Sequence, residues 1–117
     1  MFTDKSQERD VAKSELPGPP DARAGLYIQS RAGVLHHVKI PRHCLAFQTG
    51  EALELATDGK LRAVPHLVYG GEPRLMQNIG RSTLAVFMQP SLGDRVGKYD
   101  TFAQWASDVL SRGYDKS

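Results

Sequence analysis

Two β-rich runs constrain this chain more than any other part of it. The first reads L-R-A-V-P-H-L-V-Y over residues 61–69 and places His66 directly after a proline. The second reads R-S-T-L-A-V-F-M over residues 81–88. Side chains along a strand repeat with period two, so Arg81 and Thr83 share one face. A guanidinium fork beside a hydroxyl suits a small carboxylate, and an imidazole on a neighbouring strand suits a metal ligand close to it. His66, Arg81 and Thr83 are therefore the candidate site residues.

The frame around them is small. The 117 residues make one domain at most, with a single core that removes about two-thirds of the unfolded surface from water. The 15 basic residues are scattered among 13 acids, for a net charge of +2, which argues against a nucleic-acid arm or a polybasic membrane patch. No apolar run reaches the length of a membrane span, and the polar first fifteen residues lack the apolar centre of a secretory signal. The expected compartment is cytoplasmic. Cys44, the sole cysteine, can form no internal disulfide and is expected as an inert buried thiol.

Punctuation by glycine and proline divides the chain. Residues 1–24 are polar and carry an L-P-G-P-P-D cluster, the composition of a flexible arm. Residues 25–117 then form the folded domain. Strands are predicted over 25–30 and 34–40, joined as a hairpin by R-A-G, and a third over 44–50. E-A-L-E-L-A-T, residues 51–57, has helical composition, with Thr49 as the expected N-cap and Asp58-Gly59 as the stop. A fourth strand covers 60–69, broken by Pro65, and a fifth covers 81–89. Phe102, Trp105, Ala106, Val109 and Leu110 recur at helical spacing and predict a C-terminal helix over 100–113, capped by Asp100 or Thr101. The class is mainly β.

The order of these elements resembles the C-terminal half of the iron(II)- and 2-oxoglutarate-dependent oxygenases of the isopenicillin N synthase-like group. Those proteins carry a G-D-x-L-x-x-x-T-N-G-x-x-x-S-x-x-H-R-V stretch, then R-x-S and an F-F-x-x-P ending. Here residues 49–68 read T-G-E-A-L-E-L-A-T-D-G-K-L-R-A-V-P-H-L-V, and residues 81–90 read R-S-T-L-A-V-F-M-Q-P. G-L-Y-I-Q, residues 25–29, resembles the strand that precedes them, so the likeness spans residues 25–92. It implies a partial double-stranded β-helix, or jelly roll. It also implies that His66 is the second histidine of a two-histidine, one-carboxylate iron site. Arg81 and Thr83 would hold the distal carboxylate of 2-oxoglutarate, with threonine in place of the usual serine. Iron(II) and 2-oxoglutarate are the implied cofactors, and a small molecule is the implied substrate.

One part of the pattern is missing. The family draws its other two ligands from a His-x-Asp motif, whereas His36, His37, His43 and His66 are followed two positions on by Val38, Lys39, Leu45 and Val68. The resemblance therefore implies a C-terminal fragment of an oxygenase, or a short relative of one, inactive by itself. The alternative is a non-catalytic binding or structural protein on the same half-barrel. A third reading joins His36, His37 and His66 in a cupin-like metal site, against the plainer expectation that His36 and His37 are solvated. A half-barrel leaves strand edges open, so a homodimer through those edges is expected as well.

Overall fold

The computed structural model describes residues 1–7 and 10–114; Glu8, Arg9 and residues 115–117, assigned above to the arm and the C-terminal domain, lie outside them. In chain order it contains β1 (Phe2–Asp4), a 3-10 turn (Lys5–Gln7), α1 (Val11–Ser14), β2 (Glu15–Leu16), β3 (Gly25–Gln29) and β4 (Leu35–Val38). Then come α2 (Glu51–Ala56), β5 (His66–Tyr69), β6 (Ile79–Arg81) and α3 (Phe102–Tyr114). The strands form two antiparallel three-stranded sheets, ordered β2-β1-β6 and β4-β3-β5. Among the described residues no helix is long and apolar enough to cross a membrane.

The chain separates into two units, one of Met1–Ala46 with Pro65–Val86, the other of Phe47–Val64 with the described residues from Phe87 onward. The first holds both sheets. Its hairpin forms because alternating apolar residues flank a turn that a glycine can close: Ser30 N–H donates to Val34 O, and Gly33 sits at φ 79°. The segment expected as a polar arm carries β1, α1 and β2, and β1 pairs with β6 from Phe2 opposite Arg81 to Asp4 opposite Ile79. Asp10 caps α1 by accepting from the Ala12 and Lys13 N–H groups.

Asp21 holds this unit together. Its side chain is 5 % exposed and accepts from the backbone N–H of Arg23, the Arg23 guanidinium and, 51 residues away, the N–H of Glu72. Those donors keep its carboxyl well below the ordinary carboxylate range. Beside it Ala24 is buried, and Gly71 passes close enough that a Cβ there would meet the side chains of Met76, Ala24 and Asp21.

Among the described residues of the second unit, Val96 and Phe102 are the buried hydrophobic ones. The α3 helix opens with a reciprocal cap: Thr101 Oγ1 accepts from Gln104 N–H, and Gln104 Oε1 accepts from Thr101 N–H. Phe102 packs against Trp105 at 5.3 Å between ring centroids. The predicted α2 forms, but its N-cap is Gly50 rather than Thr49. Thr49 instead donates its hydroxyl to Arg62 O, while Glu54 accepts from Ala63 N–H at 2.6 Å. These two bonds fold the return loop over the helix start.

Three expectations are corrected. Residues 44–50 form no strand, and the strands expected over 60–69 and 81–89 shrink to His66–Tyr69 and Ile79–Arg81. A strand needs a continuous ladder as well as propensity, and these stretches make single backbone bonds, such as Val64 N–H to Thr49 O and Ser82 N–H to Met1 O, outside the ladders. Cys44 is exposed rather than buried.

Candidate functional site

The sheet register decides where the histidines stand. Ile28 on β3 lies opposite His36 on β4 and opposite His66 on β5, so His36, Ile28 and His66 form one row across a single face. Two interstrand steps separate the histidine Cα atoms, roughly 10 Å. His37 occupies the next register position, opposite Tyr27, and therefore the other face. There its ring stacks on Tyr27 at 4.6 Å and 8°. The sheet holds His36 and His37 on opposite sides, so the three histidines cannot meet at one metal ion.

His66 is exposed at the start of β5, which is a terminal strand of its sheet. Arg81 ends β6 in the other sheet, also exposed, and Thr83 follows beyond the ladder. The structure thus leaves His66 and the Arg81–Thr83 pair on separate sheets of the same unit. Among the described residues no three His, Cys, Asp or Glu side chains come together as metal ligands. An iron site of the kind the resemblance implies needs three such ligands.

A shallow cleft of about 280 Å³ lies elsewhere in the first unit, lined by Ala12, Glu15, Leu16, Pro17 and Arg42. Arg42 is already paired with Glu15 at 2.8 Å, so the cleft offers a neutralised cation, and none of the predicted site residues lines it. Asp21 was invisible as a keystone from the sequence. Its signal was an aspartate two residues before an arginine, which describes an Asx turn but not its distant Glu72 partner.

No family model matches the chain, and neither does any curated protein or solved structure.

Proposed function

We propose that the chain is the later half of a double-stranded β-helix related to the iron(II)/2-oxoglutarate oxygenases. In this reading His66 is a metal-ligand position, and Arg81 with Thr83 is the carboxylate-binding pair. One observation carries the reading: hairpin, short helix, Pro-His segment and Arg-x-Thr segment follow one another in the family's order, with His66–Tyr69 antiparallel to Gly25–Gln29. β5 is a terminal strand of its sheet among the described residues, and the reading requires two further metal ligands beside His66. No catalytic step is assigned to the chain alone.

Titration with 2-oxoglutarate, and with succinate as a shorter dicarboxylate, tests the anion pair. Backbone amide signals of Arg81 and Thr83 are expected to shift with both acids, and Arg81→Lys to weaken binding about tenfold, because lysine loses the two-pronged contact. Equal binding by Arg81→Ala would sink the assignment.

A second reading, a non-catalytic scaffold that binds anions, is favoured by the missing His-x-Asp motif. Turnover separates the two: release of carbon dioxide from 2-oxoglutarate by the chain with iron(II) and oxygen would exclude the scaffold reading.

A further inference from the structure

Arg81 stands in a row with apolar neighbours. In the β2-β1-β6 sheet Phe2 lies opposite Leu16 on one side and opposite Arg81 on the other, so Leu16, Phe2 and Arg81 share one face. Gly80 belongs to the opposite face, where a Cβ would meet Thr3 Oγ1 at 3.0 Å and Lys5 Cε at 3.3 Å. Phe2 and Leu16 are half-buried and keep part of their surface accessible, whereas Arg81 is exposed. The cation that ends the row lacks a counter-ion. Arg23 and Arg42 pair with Asp21 and Glu15, but among the described residues no carboxylate lies within pairing distance of Arg81. Asp4 shares the face, opposite Ile79, yet its Oδ1 accepts from Ser6 N–H at 2.9 Å and from Ser6 Oγ at 2.7 Å.

We propose that this face binds a small monocarboxylate with an apolar chain, its carboxylate on the Arg81 fork and its chain along Phe2 toward Leu16. The proposal rests on the reading of Arg81 as a carboxylate-binding residue and changes the class of acid that residue favours. The row sets the shape of the ligand. Two interstrand steps of about 5 Å each separate Arg81 from Leu16, so an extended chain of roughly 10 Å covers it. A second charged end, as in 2-oxoglutarate, would lie over Phe2 and lose hydration there, with no unpaired cation in the row to meet it. Lys5 stands on the other face. An apolar end instead removes Phe2 and Leu16 surface from water. Leu16 also lines the 280 Å³ cleft, so the row leads from the unpaired cation to the edge of a concavity.

Backbone amide titration of the full chain with acetate, butyrate, hexanoate and octanoate, kept below micelle formation, tests this, with 2-oxoglutarate and octanol as controls. Affinity is expected to rise about twofold or more with each added methylene, since complete burial of one contributes roughly fourfold. Octanoate is expected to bind at least about tenfold more tightly than 2-oxoglutarate and to shift the Phe2, Leu16 and Arg81 signals together. Arg81→Gln is expected to weaken every acid about tenfold, whereas Leu16→Ser should weaken octanoate about fivefold and leave acetate unchanged. The chain-length series needs no variant, so a misfolded substitution does not decide the outcome. Shifts at Arg81 with acetate and 2-oxoglutarate but no gain with chain length would overturn this proposal and leave the carboxylate reading standing. No shift at Arg81 with any acid would overturn both. Octanol binding as tightly as octanoate would also overturn it, because the cation would then play no part.

Discussion

Gly71 and Asp21 show how much of the first unit rests on single residues. At Gly71, φ is +85°, and a Cβ would come within 2.7 Å of Met76 Cγ and 3.1 Å of Ala24 Cβ. Gly71→Ala should therefore cost about 1–3 kcal/mol, combining left-handed strain with overpacking, and should speed amide exchange across β3 and β5. Asp21 makes stability depend on pH. Its folded-state pKa lies below the unfolded value, so its contribution is complete above the ordinary carboxylate range and is lost as the pH falls through that range toward the depressed value. Asp4, lowered mainly by its bond from Ser6, acts with the same sign. Urea midpoints should fall between about pH 6 and about pH 3, and Asp21→Asn should flatten that slope. An unchanged slope would remove Asp21 from its place at the centre of the unit.

At the scale of elements, local pattern was sufficient where a segment carries its own partners. The 25–38 hairpin, α2 and α3 were all readable, because turn chemistry, caps and periodicity act over a few residues. The N-cap of α2 was misread, since Thr49 finds Arg62 O instead of the helix. That choice depends on a loop thirteen residues away, and spacing alone does not reveal it. Glu54 is the residue that ties this loop to α2. Glu54→Ala leaves the Ala63 N–H without its acceptor and should cost about 1–2 kcal/mol, whereas Glu54→Gln keeps an oxygen there and should recover most of it. Trp105, the only tryptophan, lies in the same unit and reports the change by fluorescence during unfolding.

For the whole molecule, the buried hydrophobic set among the described residues is Ala24, Val96 and Phe102, while Leu45, Phe47 and the 84–88 run remain in water. The sequence by itself determined the helices, the hairpin and the types of candidate site residue, because periodicity, capping and side-chain chemistry are local. Only the tertiary structure decided that His36 and His66 share a face while His37 does not. It alone placed Arg81 in the other sheet, made Asp21 the link between distant segments, and left residues 83–89 without a ladder. The reason is physical: register and strand pairing are settled between segments far apart in the chain, and a strand's propensity does not specify which partner it meets.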